Sequence, residues 1–308
     1  MPPPHNASLI LLTKNHLEYV RQTLPLIRRQ DYAGQTEIIC VDSGSTDGTL
    51  DFMRDQGVQP HIIPPEQFHH ARTRNFAATM ANHEILVLLS ADAIPTDTHW
   101  LGNLLAPFDD PKVGAAYGKQ IPPQDTGPMR TRAMQCLYPD TRELRDLAGL
   151  DTVPLRFIRF SDANSAVRTD LWREFKWDET ALVAEDHGMC YHILKKSLRV
   201  VYEPGAAVTH GHQRSLWGEF QFAVDNAISL KRMGIFDDPK LGSELAYGLQ
   251  QLWRDWWYFI GSGKVGSALK ALTIAAAKWV GVQLGKRENA LPKSLMLRIS
   301  MNMKTLDP

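Results

Sequence analysis

Short apolar runs alternate with amphipathic stretches through the first hundred residues, and the joints between them carry turn or cap residues. The pattern predicts strands at residues 8–13, 37–42, 59–63, 84–90 and 113–117, with helices between them at 17–29, 46–56, 71–81 and 97–106. Gly57 is placed to stop the second helix and Ser45 to cap its start. This order predicts an α/β fold: a mainly parallel sheet flanked by helices on both faces, with ligands bound at the carboxyl ends of the strands.

From 119 to 160 the periodicity fades. Pro122, Pro123, Gly127, Pro128, Pro139 and Pro154 punctuate a stretch rich in Arg and Asp, which reads as a long, partly mobile segment over a site. Order returns over 161–167, followed by a helix at 185–196 and a strand at 199–202, and beyond His212 the chain turns helical to its end. The expected division is therefore a catalytic unit over 1–213 and a helical region over 214–308.

On a projection of residues 263–284, Val265, Leu269, Leu272, Ala276, Trp279, Val280 and Leu284 share one face, with Lys264, Lys270 and Lys278 off it. Trp253, Trp256, Trp257 and Tyr258 stand just before it. A basic amphipathic helix with aromatic residues suits the surface of an anionic membrane; the competing readings are packing on the catalytic unit and a homodimer interface. Charge sharpens the contrast: residues 1–213 carry 21 Lys/Arg against 26 Asp/Glu, whereas 214–308 carry 13 against 8. The whole chain is balanced at 34 against 34, which excludes a general attraction for nucleic acid.

Cys40, Cys136 and Cys190 are widely spaced and form no CxxC pair, which points to a reducing compartment. Met1-Pro2-Pro3-Pro4-His5 lacks a basic leader, the apolar run 7–12 is short, and no later segment reaches the ~18 uninterrupted apolar residues of a span. A cytoplasmic protein, with a peripheral contact at the inner face of the membrane, is expected.

Candidate chemistry lies at strand ends. Val41-Asp42-Ser43-Gly44-Ser45-Thr46-Asp47 closes the second strand, where small residues let backbone approach a ligand and Asp42 can accept a hydrogen bond from a base N–H; a plain capped turn is the alternative. Ser90-Ala91-Asp92 follows the fourth strand and sets one carboxylate where a cation on a diphosphate needs an oxygen ligand. Glu185-Asp186 opens a helix, where acidic residues also occur simply to complement the helix dipole. Gly261-Ser262-Gly263-Lys264-Val265-Gly266 matches GxGxxG but follows a Trp-rich helical stretch instead of a strand, so a dinucleotide site is not expected. His69-His70 reads as a pair of exposed loop histidines in preference to a metal pair.

Thr13-Lys14-Asn15, the Asp42 loop, Arg74-Asn75, Leu89-Ser90-Ala91-Asp92-Ala93 and Glu185-Asp186 together resemble the family 2 glycosyltransferases of GT-A fold. Ala93-Ile94-Pro95, Tyr117-Gly118-Lys119-Gln120, Asn164-Ser165-Ala166-Val167-Arg168 and His210-Gly211-His212 are similar to the bacterial rhamnosyltransferase-like branch. The resemblance covers nearly the whole chain in order. It implies a nucleotide half to about residue 92 and an acceptor half over 93–213. Thr13, Asn15, Asp42, Ser43 and the Ala91 region would hold the nucleoside, with Arg74 near the base or diphosphate. Asp92 and His210 would bind Mg²⁺ or Mn²⁺, Ser90 standing where many members carry the first Asp of Asp-x-Asp. Asp186 would be the general base, kept ionised at pH 7 by the helix end, with Glu185 orienting it or binding acceptor. Asn164 and Gln120 would meet acceptor or sugar. The implied partners are a dTDP- or UDP-linked sugar, L-rhamnose among the candidates, and a glycan or lipid-linked acceptor. Two rivals stand beside this reading: a sugar-1-phosphate nucleotidylyltransferase, whose Gly-rich loop after the first strand is absent, and a non-catalytic nucleotide-sugar-binding scaffold, suggested by Ser90.

Overall fold

A computed structural model describes residues 4–305. Met1-Pro2-Pro3, part of the stretch read for a leader, lies outside the described residues, as does the end of the basic tail from Leu306. The strands are β1 (Ala7–Thr13), β2 (Thr36–Asp42), β3 (His61–Ile62), β4 (Ile85–Ser90), β5 (Ile94–Pro95), β6 (Val113–Ile121), β7 (Glu143–Arg145), β8 (Asn164–Arg168) and β9 (Arg199–Thr209). The helices are α1 (Leu17–Arg28), α2 (Thr49–Asp55), α3 (His70–Ala78), α4 (Trp100–Leu105), α5 (Pro128–Leu137), α6 (Thr169–Phe175), α7 (Glu185–Lys195), α8 (Leu216–Arg232), α9 (Glu244–Gly261), α10 (Val265–Gly285) and α11 (Lys293–Ile299).

One sheet runs in the order β3-β2-β1-β4-β8-β6-β9-β5, with β7 on β9. Where strand and helix alternate, from β1 to β4, the ladders are parallel. β8 enters antiparallel between β4 and β6, and β5 and β7 are also antiparallel to β9. Strand pleating sends Leu9 and Leu11 of β1, and Val87 and Leu89 of β4, into a core shared with Leu24 and Trp100. Ile10, Leu86 and Leu88 face a second core with Ala77, Trp172 and Ile193.

Two expectations change. Ser45 does not cap α2, because the helix begins only at Thr49, after Gly48 at φ +92°, and the Ser45 hydroxyl turns back to Asp42. The stretch 119–160 is not irregular throughout: β6 continues to Ile121, α5 starts at Pro128, where a proline's missing N–H costs nothing, and β7 joins the sheet edge.

The helical region is anchored by α8. Val224 and Ile228 pack with Leu182 and Met296, and the Ser229 hydroxyl accepts from the Leu182 amide at 2.9 Å. Gly261 to Gly266 forms the turn between α9 and α10, as a helix-to-helix link requires.

Candidate active site

Asp42 ends β2 fully buried, and each of its oxygens accepts two hydrogen bonds. Oδ1 takes the Gly44 and Ser45 amides at 2.9 and 2.7 Å; Oδ2 takes the Thr13 and Ser45 hydroxyls at 2.7 and 2.6 Å. Asn15, at φ +52°, accepts from the Thr46 amide at 2.8 Å while its own amide donates to Ser45 Oγ at 2.7 Å. Ser43 is buried against the Thr13 carbonyl. Thr13, Asn15, Asp42 and Ser43 therefore form one loop scaffold at the ends of β1 and β2. Within it the Asp42 carboxylate is saturated, so a base N–H has to displace one of its present donors.

Asp92 follows β4 at the next strand end. The β5–β9 ladder pairs Ile94 with Thr209, and the His210 amide donates to the Ile121 carbonyl at 2.9 Å, which brings the turn after β9 onto Asp92. His212 Nε2 lies 3.0 Å from Asp92 Oδ2, and His210 Nε2 lies 3.6 Å from Oδ1. One ligand atom from each residue falls within 4.8 Å of the others, a spacing that could hold a metal ion. A carboxylate and two imidazoles suit a divalent transition-metal ion better than Mg²⁺. His212, visible in the sequence only as the end of His210-Gly211-His212, supplies the third donor that Ser90 leaves missing.

Electrostatics favour the same use. Burial opposes the charge on Asp92, but the hydrogen bond from His212 and the neighbouring imidazoles outweigh it and hold the carboxyl below its usual range. Burial pushes His210 down to about 4, leaving a neutral imidazole, the form that ligates. Its Nδ1 lies 2.9 Å from Gln120 Oε1, and Gln120 Nε2 donates to Ser161 Oγ at 2.8 Å. Gln120 is buried, and its contact is with the ring of His210, which it orients.

Ser161 opens the loop leading to the second cluster. The Asp162 amide donates to Asp186 Oδ2 at 3.2 Å, and Asp186 Oδ1 accepts from the His187 amide at 2.8 Å. Arg74, reaching from α3, bonds Glu185 and lies 3.9 Å from Asp162. Its place is thus among the carboxylates at the start of α7. The expectation that the helix end keeps Asp186 fully ionised fails. Burial first, and then the negative charge of Glu185, raises Asp186 to about 7, against the weaker pull of Arg74. Burial raises Asp162 to about 7 as well. Glu185 is opposite in sign: burial raises it, but Arg74 and the nearby histidines hold it low. Asp186 as a residue is partly exposed, and each of its carboxylate oxygens accepts one backbone amide.

Supporting contacts invisible in the sequence place this cluster. Asn75 donates to the Trp177 carbonyl and accepts from the Trp172 indole and the Trp177 amide. His69, expected as an exposed loop residue, is buried; it caps α3 and bonds the Ala181 carbonyl at 2.9 Å. Together they pin the segment that enters α7 through Ala184, held left-handed at φ +60°.

Asn164, expected to meet acceptor or sugar, is also placed differently. It is fully buried, donates to the Ala206 and Lys119 carbonyls at 2.8 and 3.2 Å and accepts from the Trp100 indole at 2.9 Å. None of its polar atoms remains for a sugar; it ties β8 to β6 and β9. Ala91 is likewise buried and offers backbone alone, its carbonyl accepting from Thr23.

A parallel half whose strand ends carry Asp42 and Asp92, joined to a mixed half that brings in His210, His212 and the carboxylates of α7, defines a GT-A transferase. The chain belongs to glycosyl transferase family 2, whose family model matches residues 8–164. It is similar to the O-antigen chain rhamnosyltransferase RfbN of Salmonella typhimurium, 26% identical over 297 residues, 96% of this chain and 94% of that relative. It is also similar to the O-antigen chain rhamnosyltransferase WbaN of Salmonella anatum, 25% identical over 268 residues, 86% of this chain and 84% of that one. In fold it matches the mannosyltransferase PcManGT of Pyrobaculum calidifontis, whose structure contains GDP-Man and Mn²⁺, with a TM-score of 0.58 and 19% identity over 99% of this chain and 86% of that one. The S. aureus TarS 1-349 structure with UDP gives a TM-score of 0.56 at 19% identity, covering 73% of this chain and 65% of that one.

Proposed function

We propose that this family 2 enzyme transfers a sugar, with inversion, from a dTDP- or UDP-linked donor to a hydroxyl of a bacterial surface polysaccharide precursor. The two O-antigen rhamnosyltransferase relatives make L-rhamnose the first candidate. The observation that carries the mechanism is Asp186, partly exposed at the start of α7 and raised to about 7, tied through the Asp162 amide, Ser161 and Gln120 to the Asp92–His210–His212 triad.

Asp186 takes the proton from the acceptor hydroxyl as that oxygen attacks the anomeric carbon and the bond to the nucleoside diphosphate breaks. A pKa near the working pH balances the fraction ionised against the strength of the base. Arg74 holds Glu185 so that Asp186 is the carboxyl left to accept the proton. The loop around Asp42 receives the nucleoside. Asp92, His210 and His212 would hold a divalent cation, which when bound offsets the charge gained by the leaving diphosphate. The chain works at the cytoplasmic side, where nucleotide sugars are made.

Calorimetric titration with UDP, dTDP, GDP and CDP, each with and without Mn²⁺ or Mg²⁺, tests this reading. Selective binding of one pyrimidine diphosphate, strengthened by metal and weakened in Asp92→Ala, is expected. Absence of binding to all four, with either metal, would overturn it.

A further inference from the structure

Apart from Leu284, which packs near Leu182 and Val224, the large residues in the apolar stripe of α10 do not pack on the catalytic unit. The inward side of α10 is made of small residues: Ala268 and Ala271 are buried, and Gly281 and Gly285 lie against α8 so closely that a Cβ would come within 2.7 Å of the Phe220 carbonyl and 2.5 Å of the Val224 carbonyl. The large residues of the stripe, Leu269, Leu272 and Trp279 among them, point outward. The neighbouring α9 repeats the arrangement, with Leu249 56%, Trp253 64% and Trp257 53% exposed at spacings of about one helical turn.

Charge follows the same surface. The acidic residues of the hairpin are each engaged from outside it, Glu244 by Lys286 and Asp255 by Arg132. Lys264 and Lys270 are exposed and have no carboxylate partner among the described residues. The outward tryptophans and leucines are therefore flanked by uncompensated cations.

We propose that the outer face of the α9–α10 hairpin docks on an anionic lipid surface. Tryptophan and leucine enter the interfacial layer while lysine meets the headgroups. A second copy of the chain suits this face less well, because a two-fold interface sets the same unpaired cations opposite one another. Spanning is also disfavoured: α10, with 21 residues and a mean hydropathy of 1.3, is long and apolar enough by composition, but Lys270 and Lys278 interrupt it and its glycines seat it on α8. Docking has a consequence for the site. Arg132 of α5 lies 4.1 Å over the Tyr258 ring, and Met134 of the same helix packs beside Gly211, between His210 and His212. One helix thus joins the docking hairpin to the triad, so a membrane-held acceptor would arrive on the side of the cleft.

The inference rests on the hairpin alone, so its failure would leave the transfer reading standing. The full chain is sedimented, without donor, with vesicles of phosphatidylcholine or of phosphatidylcholine containing phosphatidylglycerol, and its mass is measured by light scattering. Binding to the phosphatidylglycerol vesicles only, weakened by salt, is expected. Lys264→Glu with Lys270→Glu should weaken it at least about 10-fold, and Trp253→Ser with Trp257→Ser and Trp279→Ser should abolish it. Nucleotide binding and far-ultraviolet circular dichroism report whether both variants remain folded. No binding by the wild type, or equal binding by both folded variants, would overturn the proposal. A wild-type dimer that the tryptophan substitutions dissociate would overturn it too, by assigning the face to a second copy.

Discussion

The backbone amide of Asp162 donates to Asp186 at 3.2 Å, tying the proposed base to the loop whose first residue, Ser161, holds Gln120 and, through it, His210. Base and triad are thereby two ends of one hydrogen-bonded path. Because Asp162 and Asp186 both rise to about 7, their protons leave as a coupled pair, and the apparent value belongs to the pair. Transfer needs the ionised base, so kcat should climb with pH through about 7 and fall roughly tenfold per unit well below it. A pH profile that is flat between 5 and 8, on either side of about 7, would contradict this.

Arg74 pulls Asp186 downward. Arg74→Gln should therefore move the acidic limb of the profile to higher pH and lower kcat at neutrality. It should also destabilise the fold, since Glu185 would lose the cation beside it. A limb that stays in place in folded protein would show that Arg74 does not tune the base.

Gln120→Leu leaves His210 without the partner that orients its ring. Affinity for Mn²⁺, measured by titration calorimetry, should fall by about 10-fold or more, while binding of nucleotide without metal is unchanged. An unaltered metal affinity would mean that backbone alone positions His210.

Asn164→Ala should behave as a stability variant. It strands the Trp100 indole N–H and two carbonyls in a dry core, costing about 3 kcal/mol. Tm should fall by several degrees, with KM for donor and acceptor unchanged at a temperature where the protein is folded. A raised acceptor KM with unchanged Tm would restore the role implied by resemblance.

The strands and helices up to residue 106 were legible because each apolar run faces a core on a fixed period. Between 119 and 160 proline obscured the pattern, although Gly127-Pro128 is a helix start in which proline occupies the first turn. Among site residues, Asp92 was readable from its place after a strand, whereas His210 came only with the resemblance, because the expected strand stopped at 202 and β9 runs to Thr209. The roles of Gln120 and Asn164 were not readable, because sequence gives a polar residue's chemistry but not whether it points to the cleft or the core. The ionisation of Asp186 was misjudged for a related reason: the helix dipole is a local effect visible in sequence, whereas burial beside Glu185 and Asp162 is created only by folding.

Burial of Asp186 also has a cost in stability. Its raised value means that the fold favours the protonated form, so its contribution to stability is present at low pH and is lost as pH rises from its ordinary 3.8 through about 7. Asp186→Asn should thus be at least as stable as the wild type at pH 8, with an unchanged or slightly higher Tm.

The most direct test of Asp186 as the base compares that variant with wild type at pH 8, with Tm, nucleotide and Mn²⁺ binding, and transfer measured on the same preparations. The account predicts intact folding and binding, with transfer lowered by about 1000-fold or more, within the usual span for general base catalysis, because the neutral amide cannot accept the proton. Turnover near the wild-type rate in the folded, nucleotide-binding variant would contradict it.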